Sequence, residues 1–185
     1  MIMLKFLTTL IAICSFAFVV RAQDTNALKT SIGNFEARTG TVIVKGFGEI
    51  GSVTANGATI SVRCKESTDV SSNRKQYGLA VFIATSQHTD IAYVDYDEIE
   101  SLTSSIDYLG KISYNVTSLP SFEATYTTRS GLRIVAYSPR RQGGIQNFLQ
   151  YNDGPRIPLS SDQVAQLENL IGQAKSTLDS LQNSK

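Results

Sequence analysis

Alternation of apolar and polar residues dominates the chain from residue 41 to residue 94. Thr41-Val42-Ile43-Val44-Lys45 is rich in β-branched residues, and Ala58-Thr59-Ile60-Ser61-Val62-Arg63-Cys64 alternates with a period of two. Both are strand signals, and Asn56-Gly57 between Gly51–Thr54 and Ala58–Cys64 suits a type I′ hairpin turn. Ser71 to Lys75 reads as a polar loop, after which Gly78–Thr85 and Ile91–Val94 continue the sheet. The period then changes. Ile99, Leu102, Ile106 and Leu109 form one stripe at helical spacing, predicting a helix over 97–111. Asp95 stands at its N-cap with Glu98 three residues on, a capping box, and Val94 and Ile99 form the staple.

The same succession follows again. Strand signals occupy Ser121–Thr128, Leu132–Tyr137 and Ile145–Tyr151, separated by turns at 129–131, 140–144 and 152–155. A last helix is predicted over 161–182, with Ser160 and Gln163 as capping box and Leu159 and Val164 as staple. Adding 65 to the positions of Val94, Asp95, Glu98, Ile99, Leu102 and Ile106 lands on Leu159, Ser160, Gln163, Val164, Leu167 and Ile171, each in the same role. The expected architecture is α+β: antiparallel sheet with two amphipathic helices packed on it, in two strands-then-helix halves at 35–113 and 119–185. A polar lead-in over 23–34, with one helical turn around Ala27–Ile32, precedes this single domain over 35–185.

In element order alone, such halves resemble the whirly and PUR single-strand-binding folds. That resemblance implies a basic groove with stacking aromatics. A nearly neutral chain without Trp departs from it, and no nucleic-acid role is carried over.

The first 22 residues have another character. Lys5, an apolar run from Phe6 to Val20, and Ala22 with Val20 two positions before it read as a secretory signal peptide cleaved before Gln23. The alternatives are a lipoprotein, which Ile13 before Cys14 does not suit, and an uncleaved anchor, which Arg21 leaves open. A secreted or periplasmic mature chain is expected, without membrane attachment. Its 15 basic and 16 acidic residues, once Lys5 and Arg21 are gone, form no footprint for nucleic acid or anionic lipid.

Candidate chemistry is sparse. Loss of Cys14 leaves Cys64, whose neighbours Ile60 and Val62 share an apolar strand face, so a buried small hydrophobe is expected rather than a reactive or disulfide-forming thiol. Gly46-Phe47-Gly48-Glu49-Ile50-Gly51 fits a dinucleotide-binding pattern, but strand and turn signals follow where a helix must start, so a bulge or twist is expected instead. Asp90, Asp95, Asp97, Glu98 and Glu100 read as helix capping, with calcium as the alternative. His88 is the only histidine, in a turn, so a His-based hydrolase or a zinc site of the usual kind is not expected. Glu36, Glu49, Glu66 and Glu123 are carboxylates for a hydrolase that the sequence does not rank.

Tyr126, Tyr137 and Tyr151 fall on neighbouring strands with Arg133, Arg129, Arg140 and Arg141 on the same hairpins. Tyr126, Arg133, Tyr137 and Tyr151 are therefore the candidate ligand face, for stacking on a carbohydrate or gripping an anion. Neither a metal nor a cofactor is expected. Asn115-Val116-Thr117 is an N-glycosylation sequon, relevant only in a eukaryotic source.

The expected function is non-catalytic binding or interaction with an extracellular or periplasmic ligand or protein. A small metal-independent hydrolase using carboxylates is the alternative. The third option is an envelope or structural subunit forming a homodimer through the C-terminal helix, whose apolar seam is short for a coiled coil.

Overall fold

A computed structural model describes residues 29–139 and 144–184. The signal-peptide reading of 1–22, the residues 23–28 and the arginines at 140 and 141 lie outside them. The chain is α+β: among the described residues there are eight strands in two antiparallel sheets, with three α-helices.

The first sheet contains β1 (Ile43–Ala55), β2 (Ala58–Asp69), β3 (Arg74–Ala84) and β4 (Thr89–Asp95), paired in chain order. The second contains β5 (Phe122–Thr127), β6 (Leu132–Ser138), β7 (Gln146–Tyr151) and β8 (Ile157–Leu159), also in chain order. Each sheet ends in a helix, α2 (Ile99–Gly110) and α3 (Ser161–Asn183). Two halves of like topology are thus present. No helix among the described residues is long and apolar enough to cross a membrane.

Local signals account for much of this. Asn56 and Gly57 both have positive φ, as a type I′ turn requires. The glycine-rich run at 46–51 is strand, and the ladder between β1 and β2 slips between Glu49 and Gly51, leaving a bulge where a nucleotide site would need a helix. At α3 the capping box is complete: Ser160 Oγ accepts from the Gln163 N–H at 3.2 Å, and Gln163 Oε1 accepts from the Ser160 N–H at 2.7 Å.

The start of α2 departs from expectation. A 3₁₀ turn at Tyr96–Glu98 intervenes, helix begins at Ile99, and neither Asp95 nor Glu98 caps it. Both carboxylates are drawn to partners distant in sequence, described below.

The helices exchange sheets. α2 packs on β5 and β6 of the other half, α3 lies on β1, β2 and β3, and the two helices touch one another. One apolar core unites Ile60, Val62, Leu79 and Val94 with Ile134 and Leu149, and both with Leu102, Ile106, Leu167, Ile171 and Leu178. Cys64 belongs to that core, its thiol donating to the Ala174 carbonyl at 3.4 Å, and burial pushes its pKa up. Of the α3 seam, Val164, Leu167, Ile171, Ala174 and Leu178 are buried within the chain, and Leu181 near its end is 43% exposed. A Leu178→Asp change would therefore probe folding rather than association.

The opposite side of the first sheet is covered by a short helix, α1 (Ser31–Glu36), packed on β2, β3 and β4. Thr30 and Ile32 are fully buried and Phe35 nearly so. The stretch read as a polar lead-in is thus part of the packed body from Thr30 onward.

Candidate ligand face

Strand register decides where the four candidate residues point. Tyr126 pairs with Ile134, which pairs with Leu149, and Tyr151 pairs with Leu132. Those partners are core residues. Tyr126 and Tyr151 therefore face inward, with Tyr126 Oη 2.8 Å from Ser101 Oγ on α2 and Tyr151 only 8% exposed. Tyr137 pairs with Glu123 and Gln146, and Arg133 with Thr127 and Gln150, one residue out of phase. Side chains alternate across a sheet, so Arg133 and Tyr137 point the other way. The four residues do not form one face: two line the core and two line the outer surface.

That outer surface is the open side of the second sheet. Its rows are Glu123–Tyr137–Gln146, Thr125–Val135–Phe148–Pro158 and Thr127–Arg133–Gln150. Sequence reasoning missed Phe148 and Arg156, although the period of β7 carried the signal for Phe148. Arg156 reaches across the strands to Glu123, one of its terminal nitrogens meeting both carboxylate oxygens at 2.9 and 3.0 Å. Its guanidinium centre lies 5.8 Å from the Phe148 ring centre. Val135 is buried under this cover. Arg133 has a looser neighbour, Asp153 at 3.9 Å, and that carboxylate is fully exposed. Arg133 thus keeps donors available on the same outer face as Tyr137, four residues apart along β6, a face able to take a planar or anionic group.

The carboxylates set out as hydrolase candidates are each neutralised by a cation. Glu36 meets Lys45 and Lys65, both at 2.7 Å; Glu49 meets Arg63 at 2.6 Å, Glu66 meets Lys75 at 2.8 Å, and Glu123 meets Arg156. Burial pushes the Glu36 and Glu66 carboxyls up, but their lysine and hydroxyl donors outweigh it and hold both below the ordinary glutamate range. Neither is suited to carry a proton as general acid.

Glu36 belongs to a buried polar cluster on the α1 side of the first sheet. Lys65 is fully buried there, its Nζ 2.7 Å from Glu36 Oε1, 3.5 Å from the Tyr93 ring centre and 5.5 Å from that of Phe47. Ser67 donates to Glu36 at 2.5 Å. Burial drives the Lys65 pKa down, more than Glu36 restores it. Every cation and anion in this cluster ties α1 to the sheet.

Three members of the acidic run are held by groups of the chain itself. Asp95 accepts the Ser31 and Ile32 N–H groups at 2.7 and 2.9 Å, so it caps α1 rather than α2. The cation it shares with Asp97 is the Arg129 guanidinium, at 3.0 and 2.8 Å. Glu98 is buried, accepts the Arg129 N–H at 2.9 Å through Oε1, and leaves Oε2 without a hydrogen bond; burial raises its pKa. This node locks the end of β4, α1 and the β5–β6 turn together. His88 stays in its turn, 3.0 Å from Asp90.

Comparison with family models, curated proteins and solved structures finds no match to this chain.

Proposed function

We propose that this protein is a non-catalytic binding domain working outside the cytoplasm, with its ligand on the open face of the second sheet. The observation that carries the reading is the outward grouping of Arg133, Tyr137 and Phe148 on a sheet face that no helix among the described residues covers. Aromatic rings supply area and the guanidinium supplies direction, which suits a ligand with a planar ring face and an anionic or hydroxyl edge. The locked state of the carboxylates supports binding over hydrolysis.

One observation favours the hydrolase reading. Glu98 is raised by burial while its neighbour Asp97 is held low by the Arg129 hydrogen bonds, and such a split is how acid and base roles are set. Against it, Glu98 is 7% exposed and Asp97 is occupied by Arg129.

The test uses the full chain, expressed through an export pathway, immobilised, and exposed to the native extracellular or periplasmic fraction. Arg133→Ala and Tyr137→Ala should lose the captured ligand while keeping the melting temperature within about 3 °C of wild type. Capture that survives both changes would refute the face, and hydrolytic turnover abolished by Glu98→Gln would favour the enzyme.

A further inference from the structure

We infer that the cavity between α2 and the free edge of β5 is a second binding site, and that it takes one neutral, hydroxylated ring, a single sugar unit.

The cavity has a volume of about 280 Å³. Leu109, Ala124 and the rings of Tyr108 and Tyr126 give it apolar surface. Tyr126 is fixed before any ligand arrives, because its Oη lies 2.8 Å from Ser101 Oγ. Tyr108 is 59% exposed. Ser104 and Ser105 line the cavity too, and neither their hydroxyls nor that of Tyr108 has a partner among the described residues. The strand edge adds directed groups. β5 is an end strand, and Thr128 just beyond it donates its N–H to the Leu132 carbonyl on β6 at 2.9 Å. Backbone direction alternates along an antiparallel strand, so Tyr126 and Ala124 also aim their backbone groups at β6. Thr125 between them turns its N–H and C=O to the open edge, where no described group takes them up. A donor and an acceptor thus stand side by side at the cavity.

These groups select the occupant. Among the described residues, none that lines the cavity carries a charge. An ionic ligand would give up its water there with nothing to replace it. A wholly apolar ligand would leave the Thr125 amide and carbonyl dry and unpaired. A sugar meets both demands. Its hydroxyls donate and accept, which answers Ser104, Ser105, Tyr108 and the Thr125 backbone, and its C–H face rests on the tyrosine rings. The volume is near the lower end of small-molecule sites, which fits one ring rather than a chain. Because the cavity lies at the β5 edge against α2, it is separate from Arg133 and Tyr137 and does not depend on the open-face reading.

The test titrates the full chain, purified from an export pathway, with the methyl glycosides of glucose, galactose, mannose and N-acetylglucosamine, followed by amide and methyl NMR. At least one should shift the Thr125 amide and the Leu109 and Ala124 methyls saturably. A millimolar dissociation constant is expected for a ligand of so few atoms. Tyr108→Ala, at an exposed position, should weaken it about three- to tenfold. Thr125→Pro should act similarly, because it deletes the edge N–H without removing a ladder bond. Methyl glucuronide, the charged analogue, should shift none of these signals. Thermal melts check that each variant is folded, and if Thr125→Pro is not, Ser104→Ala takes its place beside Tyr108→Ala. Silence of all four glycosides, shifts away from the cavity, equal binding of the glucuronide, or indifference to Tyr108→Ala and its companion variant would overturn the proposal. A response to a blocked tetra-alanine peptide in place of the glycosides would overturn it too, giving the edge to a peptide strand.

Discussion

Glu36→Gln should be costly, because of what it leaves behind. Lys65 is fully buried and Glu36 is 9% exposed, so the pair has given up nearly all its water. Removing one member of a buried ion pair costs about 3–5 kcal/mol, since the survivor becomes an uncompensated charge. Glutamine keeps an acceptor for the Ser67 hydroxyl, and the Tyr93 ring still faces the ammonium, which places the expected loss near the lower end, about 3 kcal/mol. With a urea slope of about 1–3 kcal/mol per molar, the unfolding midpoint should fall by about 1–3 M.

The loss should also depend on pH. The folded state already depresses the Lys65 pKa below its usual 10.5, and without Glu36 it falls further. A lysine so depressed penalises folding while it must be protonated, and the penalty fades as pH rises from its folded value toward 10.5. The variant should therefore recover much of its deficit between pH 7 and pH 10. Adding Lys65→Met removes the orphaned charge, and the double variant should return to within about 1 kcal/mol of wild type. Urea unfolding at several pH values reads all three effects. A Glu36→Gln protein within about 1 kcal/mol of wild type at pH 7 would refute the view that Lys65 is held charged and dry.

Two further outcomes are expected. Asp95→Ala removes the acceptor of the Ser31 and Ile32 amides and of Arg129, so hydrogen exchange at those two amides should accelerate well beyond the global change, with an overall loss of about 2–3 kcal/mol. Unchanged protection there would refute Asp95 as the α1 anchor. For Glu98 the sign is opposite to the usual carboxylate. Its folded pKa lies above 4.5, so the fold disfavours the ionised form, and the stability present at lower pH is lost as pH rises through that folded value. Glu98→Gln should gain on wild type between pH 4 and pH 7 in thermal melts, and a constant difference across that range would sink the assignment.

What the sequence determined by itself is local. The Asn56-Gly57 turn needs two residues tolerant of positive φ, the α3 start needs Ser160 and Gln163 three residues apart, and the buried Cys64 needs only the alternation around it. Each is decided by a few bonded neighbours. Strand parity was also within reach for the ligand face: Tyr126 and Tyr137 sit on opposite sides because their ladder partners, Ile134 and Glu123, do.

Tertiary structure decided what covers each polar surface. Arg63, Lys65 and Ser67 alternate along β2 on the side opposite the apolar face of Ile60, Val62 and Cys64. Lys65 and Ser67 are buried because α1, packed across β2, β3 and β4, brings Glu36 onto them from some thirty residues away. Asp95 has the spacing of a helix cap for α2 and instead caps α1, because the Ser31 and Ile32 amides and the Arg129 guanidinium reach its carboxylate together. A carboxylate goes where the most desolvated donors converge, and only the folded chain brings donors from residues 31–32 and residue 129 to one point.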